Sequence, residues 1–324
     1  MTPFKFNKEQ FLNDISENRS TMMGLSIIAI ILFHQDFITG FPLNVFQYYG
    51  YWGVEVFLLL SGMGLVNSLQ KYPTRTYFQR RLLRLFPSCL FCGILKCVGA
   101  FLLSILILIP YDTFPINWLS PFSLDLWFIR AIIVYYLLSP WLYKFLLEKP
   151  VITIAVVISL FLINGILFRV HDCNSPTWII ERLPVFCIGM ILKLKNDVLS
   201  TKSLILSLVF LLTAVVIVAI FRGEIYDASL PWTIMILSLA FGTTAMIYLI
   251  TLLLKRIPQT ILIPFKWTGT MSLELYLVHE FVFGIVKGNT SHLLGNTGQL
   301  TVSIMLSFIL AFLCKWVIDN TYKK

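Results

Sequence analysis

Residues 203–221 read SLILSLVFLLTAVVIVAIF, nineteen residues without a charge, closed by Lys202 before them and Arg222 after. At 1.5 Å per residue such a helix extends about 28 Å, close to the thickness of a bilayer's hydrocarbon core. Reading outward in both directions, further apolar runs between charged or Pro/Gly-containing breaks fall near 20–38, 50–69, 88–109, 123–143, 150–168, 178–192, 230–254, 267–286 and 299–318. The spacing predicts an all-α fold, a polytopic transmembrane bundle of about ten helices.

Composition agrees. The 324 residues are 58% apolar and 13% charged, against about 25% charged in an ordinary globular domain. The chain has too little polar surface to face water all round, and no soluble stretch is long enough to fold alone. The expected organisation is one membrane domain over 1–324, with a short polar N-terminus at 1–19 and a short tail after 318. The N-terminus lacks the apolar core and cleavage site of a secretory signal, so the first helix reads as a retained span. Nearly all six cysteines lie inside apolar segments, where cysteine behaves as a small hydrophobe. Cys89, Cys92 and Cys97 are close together, but no further Cys or His stands near them, so no metal is expected.

Charge placement orients the bundle. With the N-terminus inside, nineteen of the 25 Lys and Arg fall in inner segments. Three (Arg169, Arg222 and Lys287) fall in outer loops, and three (Lys96, Arg130 and Arg182) fall within spans. This bias predicts cytoplasmic termini in a multi-pass cell membrane protein. It also accounts for the net charge of +9, so no nucleic-acid partner is needed.

Orientation makes depth calculable. His34 lies about 20 Å from the inner face, in the outer half of the membrane. Glu55 of the second span is at a similar depth, as are Asp125, Trp127 and Arg130 of the fourth, Glu181 and Arg182 of the sixth, and His279 and Glu280 of the ninth. Ionisable side chains in spans face a protein interior or a wet cavity, which makes them functional candidates. His34, flanked by Ile30, Ile31, Leu32 and Phe33 with Glu55 at matching depth, is the leading one: a His held by a carboxylate is a competent general base near neutral pH. Asp125, Glu181, Arg130 and Arg182 read equally as pairs that close the bundle.

The inner segment from Gln70 to Pro87, QKYPTRTYFQRRLLRLFP, is the second feature. Arg81 and Arg84 are three apart at the start of a helix and share a face, with Arg80 beside them. Arginine forks suit phosphate oxygens, although a strong positive-inside loop touching anionic lipid needs the same residues.

Several stretches together resemble the acyltransferase 3 family of membrane proteins: MGLSIIAIILFH (23–34), GVEVFLLLSGMGL (53–65), YFQRRLLRLFP (77–87), LWFIRAIIVYYLLSP (126–140), RLPVFCIG (182–189) and MSLELYLVH (271–279). Each is soft alone; six in the family's order are specific. The resemblance implies an O-acyltransferase that moves an acyl group, usually acetyl, from cytosolic acetyl-CoA to a hydroxyl of a cell-surface or lipid-linked carbohydrate. It assigns the first-helix histidine to His34, the second-helix acid to Glu55 and the basic motif to Arg80, Arg81 and Arg84. One departure stands out: where many members carry an arginine eleven residues before the histidine, this chain has Met23, with Arg19 one turn earlier.

The expected chemistry has His34 deprotonating the acceptor and Glu55 orienting its ring, with CoA phosphates on the three arginines. Trp127, Arg130, Tyr276 and His279 are candidates for substrate or oxyanion contacts. No cofactor is permanently bound; acetyl-CoA is a substrate, and the partners are membrane lipid, acyl-CoA and an extracytoplasmic carbohydrate. The alternative class is a multi-span transporter or flippase of a glycan precursor.

Overall fold

The computed structural model describes residues 6–38, 40, 43–107, 126–165, 175–195, 199–221, 229–290 and 294–322. Asp125, Arg169, Cys173 and Arg222 lie outside the described residues. Within them the chain forms twelve helices and no strand. These are α1 (Lys8–His34), α2 (Asn44–Tyr49), α3 (Trp52–Lys71), α4 (Thr74–Ile107), α5 (Trp127–Glu148), α6 (Pro150–Ile163), α7 (Ser175–Leu194), α8 (Thr201–Phe221), α9 (Ser229–Leu254), α10 (Gln259–Thr270), α11 (Ser272–Thr290) and α12 (Asn296–Tyr322).

The exterior is that of a protein dissolved in lipid. Leu206, Val209, Leu212, Val216 and Ile220 of α8 are exposed, as are Met305, Ile309, Phe312 and Trp316 of α12, while Val56, Leu58, Leu59 and Leu60 of α3 are fully buried. Apolar bands of this extent mark a surface that meets something other than water. Among the described residues, α3, α4, α5, α8, α9 and α12 are each long and apolar enough to cross a membrane, and α10 with α11 adds a seventh crossing if the pair counts as one. The protein is therefore a polytopic helical membrane bundle. Each expected run is helical over most of its described part, but three helices fall short of a full crossing by themselves. In α1 the apolar part begins only after Arg19 and the helix stops at His34; α6 has 14 residues; α7 carries Glu181, Arg182 and Lys193.

Three local features differ from the linear reading, and each positions the site. The expected first span runs to residue 38, yet α1 ends at His34, where Gln35 turns extended. This leaves His34 at a helix end instead of mid-span. The basic segment begins a helix, as the spacing of Arg81 and Arg84 indicates, but well before the expected span at 88: α4 starts at Thr74 and continues through Pro87, so Arg80, Arg81 and Arg84 ride on its first turns. The ninth run is broken at Met271, where α10 and α11 meet at 75°.

Close helix approach depends on glycine at two crossings. A Cβ on Gly24 of α1 would overlap the Phe265 carbonyl of α10, and one on Gly269 would overlap the Ser20 carbonyl. Gly62 of α3 and Gly189 of α7 are opposed in the same way to the Phe186 and Leu59 carbonyls. Small residues let backbones pack directly in a membrane, where the hydrophobic effect gives helices little reason to associate. With α10 locked on the lower part of α1, the bend at Met271 directs α11 to the end of α1.

Candidate active site

His34 at the end of α1 meets two consecutive residues of α11. Its Nδ1 lies 3.3 Å from Nε2 of His279, and its Nε2 lies 3.3 Å from Oε1 of Glu280. Successive residues on a helix diverge by about 100°, so they cannot normally share a partner. Here the imidazole lies across α11 and offers one nitrogen to each. The ring is held from behind by its own helix, Nδ1 standing 2.9 Å from Ile30 O. His279 is fully buried, while the His34 and Glu280 side chains are 29% and 36% exposed. The group thus has a sealed side at His279 and a more open side at His34 and Glu280.

The expected partnership of His34 with Glu55 does not form. Glu55, fully buried on α3, binds Arg182 of α7 as an ion pair. The neighbouring Glu181 accepts from the Trp232 indole of α9 at 3.1 Å. A carboxylate already bound to a buried guanidinium is held away from the imidazole, and the carboxylate at His34 is Glu280. Matching depth cannot separate these cases, because depth says nothing about which way round a helix a side chain points.

At the other end of α1 lies a cavity of about 240 Å³ lined by Arg19, Arg81, Arg84 and Lys193, with Ser16, Ser61, Asn67 and Tyr136 among its polar walls. Four cations from three helices converge there; phosphate oxygens are what such a cluster suits. Arg19 also donates to Leu60 O at 2.8 Å. Arg80 is not in this group: its guanidinium sits over the Tyr72 ring, 4.4 Å from the centroid, and is exposed. The 100° step between Arg80 and Arg81 separates them.

A second, narrower cavity of about 60 Å³ shares Ser61, Arg84 and Tyr136 with the first and continues past Met23, Phe57, Leu85 and Ile132 to Phe128 and Tyr276. The Tyr276 ring packs on Phe128 at 4.9 Å and is 5.7 Å from His279, whose ring is 5.0 Å from His34. A line of space and rings thus connects the cation cluster to the histidine pair. Met23, in the position where an arginine was noted as missing, forms part of its wall. Trp127 stacks edge-on against Trp178 at 5.3 Å, and Arg130 is half-buried one turn further along α5.

His34, His279 and Glu280 also present ligand atoms within 4.8 Å of one another, a spacing that a divalent ion tolerates. Their shared depth was calculable from the sequence, but nothing in the sequence indicated that the three side chains turn toward one another. Lys193 was legible only as an inner-face charge, and nothing in its local sequence points it at Arg81 and Arg84.

Residues 22–317 match the family model described as an acyltransferase domain. No curated protein and no solved structure matches the chain.

Proposed function

The chain belongs to the acyltransferase 3 family, and from that premise we propose that it transfers a short acyl group, acetyl being the simplest, from cytosolic acyl-CoA to a hydroxyl of a carbohydrate on the far side of the membrane. The observation that carries this reading is the run of two cavities, sharing Ser61, Arg84 and Tyr136, from the cation cluster to Tyr276, whose ring lies 5.7 Å from that of His279. The Arg19 end of the bundle faces the cytoplasm in this reading, in keeping with the positive-inside bias.

CoA phosphates lie against Arg81, Arg84, Arg19 and Lys193. The thin pantetheine arm passes Met23, Phe57 and Ile132, and the thioester arrives beside Tyr276. The small volume of the second cavity favours a short acyl chain. The acceptor enters at the half-exposed side of His34, which removes its hydroxyl proton as general base. The oxygen attacks the thioester carbon, the carbon–sulfur bond breaks, and His34 returns the proton to the leaving sulfur. Glu280 stabilises the imidazolium formed in between, the role first assigned to Glu55. Glu55 with Arg182 holds α3 to α7. Trp127, Arg130 and the Tyr276 hydroxyl are the candidate oxyanion donors.

The test is transfer of label from radiolabelled acetyl-CoA to surface glycan in membranes carrying the protein or its His34→Ala variant at equal level. Label with the native chain and none with the variant supports the reading. Equal labelling removes His34 from the chemistry.

A further inference from the structure

The proton positions in the histidine pair follow from their neighbours. Nδ1 of His279 faces two backbone carbonyls, Leu275 O at 3.1 Å and Tyr276 O at 2.9 Å. Carbonyl oxygens only accept, so Nδ1 carries the ring hydrogen and Nε2 presents a lone pair. That lone pair faces Nδ1 of His34, which is also 2.9 Å from Ile30 O. Both neighbours of His34 Nδ1 are acceptors, so the hydrogen of His34 sits there too. Its Nε2 faces one acceptor, Glu280 Oε1 at 3.3 Å, against two at Nδ1, so the single hydrogen of the neutral ring stays at Nδ1 and Nε2 keeps the lone pair to which an acceptor hydroxyl donates.

The geometry points to His279 as a positioning residue: its backbone-locked lone pair holds the His34 ring with Nδ1–H inward and Nε2 outward, so that Nε2 is the nitrogen that takes the acceptor's proton. The inference rests on the reading of His34 as the base and adds how that base is aimed. Ile30 O alone holds the ring only from within α1. His279 adds an acceptor from α11, and with two acceptors on different helices a half-turn of the ring would face bare carbon at both.

The proton inventory closes. When the acceptor's O–H bond breaks, its proton goes to His34 Nε2, and the imidazolium then donates on both sides: Nδ1–H to His279 Nε2 and Ile30 O, Nε2–H to Glu280 3.3 Å away. The same proton leaves to the thiolate when the carbon–sulfur bond breaks, and the starting tautomer returns. The charged or titratable groups around the pair are Glu280 and Tyr276 of α11 and Lys96, buried on α4 within electrostatic reach of Glu280.

Two measurements on the full-length protein in detergent test this. In protein labelled with 15N-histidine, His34 and His279 are each expected as the Nδ1–H tautomer; an Nε2–H tautomer at either overturns the inference whatever the enzyme's activity. In the labelled acetyl-transfer assay, His279→Gln places an amide oxygen near the lost Nε2, and kcat is expected to stay within about tenfold. His279→Leu keeps bulk but no acceptor, and kcat is expected to fall about 100-fold or more with an unchanged KM for acetyl-CoA. Gln and Leu behaving alike overturns the inference in favour of a packing role. Loss of transfer on chelation, restored by zinc, overturns it in favour of a metal held by the same three residues. By contrast, unchanged transfer by His34→Ala counts against the proposed function while leaving the tautomer result standing.

Discussion

Glu55 of α3 and Arg182 of α7 form an ion pair that is almost fully sealed from solvent, 0% and 5% exposed at their side chains. Removing one member of such a pair takes from the other its buried counter-charge, at a cost of about 3–5 kcal/mol. Glu55→Gln and Arg182→Leu are each expected to lower the thermal unfolding midpoint in detergent, and the double variant Glu55→Leu/Arg182→Leu to recover much of the loss. A Glu55→Gln protein with native stability and a lost chemical step would return Glu55 to the catalytic group.

The cation cluster predicts an uneven arginine series. Arg81→Ala and Arg84→Ala each remove a charged hydrogen-bonding partner from the cavity, worth about 1.5–3 kcal/mol. The KM for acetyl-CoA is expected to rise roughly tenfold to a hundredfold in each. Arg80→Ala, whose guanidinium covers Tyr72 instead, is expected to change it less than about threefold. Titration of the variants with unlabelled CoA as competitor gives the ranking, and an Arg80 effect as large as the others would move the phosphates out of this cavity.

Met23 offers a way to separate donor binding from donor delivery. It lines the narrow cavity but not the basic one, so Met23→Trp is expected to block the thioester's route while the phosphate end still docks. Steady-state kinetics should show kcat falling at least about tenfold, with competition by adenosine 3′,5′-bisphosphate, which carries phosphates but no pantetheine arm, little changed. An unchanged kcat would mean that the arm does not pass Met23.

Gly24→Val and Gly269→Val press a branched side chain into opposing backbone. Overpacking of this kind costs about 1–3 kcal/mol or more. Both variants are expected to give protein of lower thermal stability, because α1 and α10 have no slack at that crossing.

How much of this was legible in the sequence varies with the kind of information required. The helices lie where uncharged runs such as 203–221 predict, because crossing a bilayer leaves a one-dimensional signature. That His34 stands at a level shared with His279 and Glu280 was likewise calculable from helical rise. Which carboxylate it meets was not, because Glu55 and Glu280 differ in azimuth and not in depth, and azimuth is fixed by glycine crossings hundreds of residues apart in sequence. The break at Met271 was hidden too, since an apolar run looks the same whether straight or bent. Arg19 could be suspected from its spacing to Met23, whereas Lys193 joined the cluster only through the packing of α7 on α3.

Arg19 and His34 stand on one helix, fifteen residues and so about 22 Å apart. In the proposed reading one end of that helix meets the donor's phosphates and the other its reactive carbonyl, which makes α1 a measuring rod. An activated acyl group on a short stem, such as acetyl phosphate, would bind at the cations and stop well below the histidine. A carrier with an arm as long as phosphopantetheine reaches. The enzyme would then sort donors by length before chemistry begins, and inserting one helical turn into α1 would demand a longer donor than the cell supplies.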